Sequence, residues 1–69
     1  MAVSWTMTRP GRYEAQPTEG WLLTVDEGRD GWEWRLVEAG AWYEHARGVA
    51  RDMDSARYDA RQAYEAVAP

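Results

Sequence analysis

Two segments with apolar residues at every second position constrain the fold of this chain most strongly. They span residues 20–27 and 31–39 and are separated by a glycine-containing turn. Such alternation is typical of strands that have one buried face. A two-residue turn of type II′ at Gly28 and Arg29 joins them in a predicted hairpin. The pairs predicted on one face are Val25 with Trp32, Leu23 with Trp34, and Trp21 with Leu36.

Weaker strand patterns flank this hairpin. Residues 3–8 alternate apolar with hydroxyl side chains and predict a short first strand. Residues 42–51 predict a further strand, which Gly48 and two alanines weaken. Residues 9–19 contain two prolines and few apolar side chains, so they are interpreted as a loop or a poorly formed edge segment.

The length of the turn after residue 40 decides which side of the last strand is buried. A two-residue turn buries the larger side chains, namely Tyr43, His45 and Val49. A three-residue turn buries a set that is mostly small, namely Trp42, Ala46 and Gly48. We favour the second register, because small residues would pack against the Trp side chains of the hairpin.

From Asp52 onward the apolar residues recur at helical spacing. They are Met53, Ala56, Ala60, Ala63, Tyr64 and Val67. Asp52 or Asp54 can cap a helix predicted over residues 53–67, and its alanines would let it lie close to a sheet of bulky residues. The predicted fold is α+β: a single domain over 1–69 with a small antiparallel sheet of three to four strands, a β-meander, and one C-terminal helix packed on one face.

Length and composition exclude several classes of protein. The 69 residues have room for one core, and the absence of cysteine excludes disulfides, Cys-based zinc sites and thiol catalysis. No apolar run is long enough to span a membrane, so we expect a cytoplasmic protein without membrane contact.

All eight basic residues are arginine, and Lys, Asn, Ile and Phe are absent, which indicates a GC-rich genome. The expected source is a bacterium with such a genome, or its phage.

Patterns that would indicate catalysis or a cofactor are incomplete. Residues 26–31 match part of a calcium-binding loop, but Gly28 and Val37 stand where further oxygen ligands are needed. His45 is the only histidine, and it has no second ligand at a metal-site spacing and no serine in a nucleophile motif. We therefore predict a non-enzymatic protein without cofactor, metal or catalytic residues.

The aromatic content indicates a binding surface. Five Trp and four Tyr are more than one face of so small a sheet can bury. Exposed Trp, Tyr and Arg are enriched in the hot spots of protein interfaces, so the surplus rings would form a binding surface. The alternative, which we weight equally, is that these rings cover the edges of a small core. The expected partner is a protein, with a second copy of the chain as one option. The candidate partner-binding residues are Trp42, Tyr43, Tyr58, Arg57, Arg61 and Tyr13.

Nucleic-acid binding is the alternative prediction. Residues 31–35 (Gly-Trp-Glu-Trp-Arg) and 56–60 (Ala-Arg-Tyr-Asp-Ala) resemble, in layout, the strand and helix of plant AP2-type domains and of the arm-binding domains of phage integrases. This resemblance implies DNA recognition by Arg and aromatic side chains of the sheet. The formal charge of -4 favours a protein partner instead.

A third hypothesis is an acidic decoy of nucleic acid, formed by the hairpin residues Asp26, Glu27, Asp30, Glu33 and Glu38.

Overall fold

The computed structural model of the chain describes residues 3–67 and shows an α+β fold. Five strands form one antiparallel sheet in the order in which they occur along the chain, and one helix follows them. The sheet has five strands, whereas three to four were predicted. No helix in this range is long and apolar enough to cross a membrane. The elements are β1 (Thr6–Arg9), β2 (Arg12–Ala15), β3 (Trp21–Glu27), β4 (Trp32–Glu38), β5 (Tyr43–Ala50) and α1 (Met53–Val67).

The additional strand, β2, lies in the segment interpreted as a loop or a poorly formed edge segment, and it pairs with strands on both sides. Pro10 and Gly11 form the tight turn between Arg9 and Arg12, which pair across β1 and β2. Gly11 has a φ of 80°, and proline followed by a left-handed glycine is the signature of a type II turn. The Pro-Gly pair therefore reverses the chain into a second strand.

The register of the β3–β4 hairpin differs by two residues from the predicted one. Val25 lies opposite Trp34, and Leu23 lies opposite Leu36. The connection spans residues 28–31, where the Gly28 N–H donates a hydrogen bond to the Gly31 carbonyl at 2.7 Å. A shift of two residues keeps each side chain on its predicted face, because the side-chain period of a strand is two.

A β-bulge in the last strand places residues from both predicted registers on the core side of the sheet: Ala46 and Gly48 from one, and Tyr43 and His45 from the other. Ala46 and Gly48 lie opposite core-facing residues of β4. The pairing register shifts just before Ala46, so that His45 is an extra residue and shares the helix side of the sheet with Tyr43. The prediction that Trp42 lies on the core face of the last strand was wrong. Trp42 lies in the turn before β5, and it is 78% exposed.

The core forms between the sheet and one side of α1. Its buried residues are Ala15, Leu23, Val25, Leu36, Ala50, Ala56 and Ala60. Small alanines of the helix meet bulky side chains of the sheet, and this complementarity lets the helix pack closely on the sheet. Val3 and Trp5 precede β1, which begins at Thr6, and still pack against this core.

Asp52 caps the N-terminus of α1. Its Oδ1 accepts a hydrogen bond from the Ser55 backbone N–H at 2.7 Å. The hydrogen bonds from the Ser55 backbone and side chain lower the pKa of Asp52, because they favour the charged carboxylate. A lowered pKa in the folded state means that the cap stabilises the fold above the usual pKa range of aspartate and is lost as the pH falls.

We expect Asp52→Ala to lower the melting temperature at neutral pH, because it leaves N–H groups of the first helical turn without their acceptor. The deficit should shrink as the pH is lowered through the acidic range, since protonation removes the same interaction from the wild type. Thermal melts followed by circular dichroism at several pH values measure this. Asp52→Asn keeps an acceptor oxygen and serves as the control. A deficit of Asp52→Ala that is independent of pH would contradict the role of the charge.

Candidate functional site

Four rings form a row across one end of the sheet, from the last turn of α1 to the edge strand β5. The Tyr64 ring meets the Trp21 ring edge-on, with centroids 6.0 Å apart. Trp21 and His45 lie 4.9 Å apart, and His45 and Tyr43 lie 4.6 Å apart. We call these four residues the aromatic row. Strand alternation already places Tyr43 and His45 on one side of β5, and the bulge at His45 turns that side toward the helix while Ala46 and Gly48 also face it.

Two polar contacts tie the aromatic row to its surroundings. His45 Nε2 donates a hydrogen bond to Glu38 Oε1 at 3.0 Å. The hydroxyls of Tyr64 and Thr18 are hydrogen-bonded at 2.8 Å. Each contact joins residues from different elements, so the rings are held by both the sheet and the loop before β3.

Trp42 lies in the β4–β5 turn, directly before Tyr43 of the aromatic row. Its φ of 51° lies in the left-handed region, which costs a residue with a bulky side chain on the order of 1–2 kcal/mol. Its indole is exposed, so burial does not offset this cost. Strain of this kind is characteristic of residues that are kept for function. We call Trp42 and the aromatic row together the aromatic surface.

The face of the sheet opposite α1 carries arginines and carboxylates that form ion pairs with one another. Arg12 forms ion pairs with Glu14 and Asp26, and hydrogen bonding to Glu14 raises the pKa of Arg12. Arg35 lies directly opposite Arg47, an arrangement that is destabilising without a counter-ion. Glu44 supplies this counter-ion, since its two carboxylate oxygens lie 3.4 Å from Arg35 Nε and 3.5 Å from Arg47 Nε.

A depression of about 320 Å³ lies over the paired strands β4 and β5, lined by residues 33–35 and 47–49. Its volume is at the lower limit for small-molecule sites, which are mostly apolar. Here Glu33, Arg35 and Arg47 border it, so it is a charged depression. Within residues 3–67, no three histidine or carboxylate side chains are grouped so that they could hold a metal ion.

The six candidate partner-binding residues fall in three separate places. Trp42 and Tyr43 belong to the aromatic surface, and both are exposed. Tyr13 is half-buried on β2, and its ring lies 6.5 Å from that of Trp32. Three candidates lie on α1: Tyr58 is 63% exposed, and the two arginines form ion pairs within the helix. These pairs are Arg57 with Asp54 and Arg61 with Glu65.

The predicted partner-binding residues do not include Trp21, His45 or Tyr64, and Glu38 was predicted only as one of the acidic residues of the decoy hypothesis. Trp21 was assigned to the core, and His45 to an ordinary strand position. The alternation of Tyr43 and His45 was a signal that these two rings share a side. Their meeting with Trp21 and Tyr64 depends on the bulge and on where the helix ends against the sheet.

Comparison with protein-family models, with curated proteins and with solved structures gives no match to this chain. The layout that resembles AP2-type and integrase arm-binding domains differs from the observed fold in two respects. The sheet has five strands, whereas those domains have a three-stranded sheet. Trp32 and Trp34 pack against the core under α1 and are not displayed on the open face of the sheet.

Proposed function

We propose that this chain is a small non-enzymatic protein-interaction module, from a GC-rich bacterium or its phage, that binds a partner protein through the aromatic surface. The observation that carries this proposal is the exposed indole of Trp42 in a left-handed backbone conformation, directly before the exposed ring of Tyr43. Trp and Tyr are the residue types that contribute most to binding at hot spots.

The order already present in the aromatic row favours this use. Each inner ring of the row contacts two others, and Glu38 and Thr18 fix the rings of His45 and Tyr64 by hydrogen bonds. Side chains held in one arrangement before binding lose little conformational entropy when a partner docks. Tyr and Trp also provide a large contact area with only two rotatable side-chain bonds each.

A capture experiment with the tagged protein tests the proposal. The bait is incubated with lysate of a GC-rich bacterium, with and without nuclease, and the captured proteins are identified by mass spectrometry. We expect a stoichiometric protein that survives nuclease and is lost with Trp42→Asn. Tyr58→Asn is the matched control, because it removes an exposed aromatic ring from α1. Loss of the partner with Tyr58→Asn but not with Trp42→Asn would contradict the aromatic surface and favour the helix.

Trp42→Asn is suitable for this test because it should not harm the fold. Asparagine tolerates the left-handed region better than tryptophan does, and the exposed indole contributes little burial. The free energy of unfolding should therefore stay within about 1 kcal/mol of the wild-type value, or rise slightly. Urea titration of both proteins provides this control.

Nucleic-acid binding remains the second candidate: Arg35 and Arg47 lie opposite each other on the open face of the sheet, and a phosphate would have to compete there with Glu44, which pairs with both. Capture that vanishes with nuclease would support it, as would an affinity that falls steeply with added salt.

The decoy hypothesis has less support, because its acidic residues do not form one surface. Asp26 is paired with Arg9 and Arg12, whereas Glu38 lies at the far end of the hairpin beside His45.

A further inference from the structure

We infer that the aromatic surface binds a cationic side chain, an arginine or a lysine, presented by the partner protein. This inference rests on the proposed function and specifies the chemistry of the partner. Three independent features of the same end of the molecule support it: the aromatic rings, a carboxylate beside them, and the C-terminal end of the helix.

The rings supply the first feature. The face of an aromatic ring carries partial negative charge and attracts a guanidinium or ammonium group, most strongly when the ring is that of Trp. Trp42 is largely accessible, and Tyr43 is 59% exposed beside it. A cation approaching the β4–β5 turn therefore meets two accessible rings that are adjacent in sequence.

The carboxylate of Glu38 supplies the second feature. It lies on β4 opposite Tyr43 and is hydrogen-bonded to His45, while its side chain remains 46% exposed. A carboxylate oxygen accepts more than one hydrogen bond, and a guanidinium group can donate several. Glu38 can thus hold the orientation of His45 and bind a cation from the partner at the same time.

The C-terminal end of α1 supplies the third feature. Tyr64 of the aromatic row lies in the last turn of the helix, where the backbone carbonyls carry the negative end of the helix dipole. The last turn of the described helix contains no basic residue, and its carboxylate, Glu65, is paired with Arg61 of the preceding turn. The formal charge of the whole chain, -4, acts in the same direction and would attract a basic partner from a distance.

A peptide titration tests the inference without knowledge of the partner. The probe is acetyl-Ala-Arg-Ala-amide, and the control is the same peptide with citrulline, which has nearly the same shape as arginine but no charge. Binding is followed by nuclear magnetic resonance on the indole N–H signals of the tryptophans. We expect the arginine peptide to shift the Trp42 and Trp21 signals with a Kd on the order of 10–100 mM and to leave the Trp5 and Trp32 signals in place. The citrulline peptide should produce no comparable shift.

Two variants of equal charge separate a specific contact from general attraction. Glu38→Gln should weaken binding of the arginine peptide by about two- to fivefold. Asp30→Asn removes the same charge from the β3–β4 turn at the opposite end of the sheet and should leave the Kd unchanged. The inference is wrong if both peptides bind equally, if both variants weaken binding equally, or if the indole signals do not move up to about 100 mM peptide.

The outcome also separates this inference from the proposed function. A captured partner that depends on Trp42 but has no arginine or lysine at the contact would overturn the cation inference and leave the interaction module in place. A partner that is captured independently of Trp42 would overturn both. A partner whose capture depends on Trp42 and on one of its own arginines or lysines would support both.

Discussion

Leu23→Ala is expected to lower the free energy of unfolding by about 2–5 kcal/mol, the range found when a buried leucine is truncated. Leu23 is completely buried in the middle of β3, opposite Leu36, and belongs to the cluster that packs under Ala60 of the helix. A chain of this length has only a small core, so the loss would be a large fraction of its total stability. Urea denaturation followed by tryptophan fluorescence measures the change.

Leu22→Ala is the matched control for this prediction. Leu22 is the preceding residue of the same strand, and its side chain points to the opposite face, where it is only partly buried. We expect this substitution to cost at most about 1 kcal/mol. Equal losses for the two variants would contradict the assignment of one face of β3 to the core.

The sequence predicted which face of each hairpin strand is buried, because that property depends only on the side-chain period. Leu23, Val25 and Leu36 are buried as the alternation required. The same pattern cannot distinguish registers that differ by two residues, since both bury the same side chains. The observed register is set by the turn over residues 28–31, whose hydrogen bond between Gly28 and Gly31 would be absent from the predicted turn centred on Gly28 and Arg29.

The candidate site was less predictable than the fold, because it depends on contacts between elements that are distant in sequence. The surplus of aromatic residues alone predicted that either Trp42 or Tyr43 is exposed, and both are. The contacts of His45 with Trp21 and Glu38 require the bulge in β5, and residues 43–47 include no glycine that would mark it. Tyr64 joins the row only because α1 ends beside β3.

Gly48→Ala is expected to lower the free energy of unfolding by about 1–3 kcal/mol, because it overpacks a filled site. A Cβ atom at Gly48 would lie 2.8 Å from the Cε2, Cζ2 and Nε1 atoms of the Trp34 indole. Trp34 packs against both core clusters, so its ring cannot move aside without disturbing them. Gly48 is therefore required by the close approach of the indole, and its φ is not in the left-handed region.

Gly40→Ala provides the control for this prediction. Gly40 lies in the β4–β5 turn and is not in the left-handed region, and a Cβ atom there would have no heavy atom of another part of the chain within 4 Å. We expect its substitution to change stability by less than about 1 kcal/mol. Trp34→Leu should in turn reduce the cost of Gly48→Ala, since the two residues share one contact. If Gly48→Ala costs the same with and without the Trp34 ring, close packing of the indole is not the reason for this glycine.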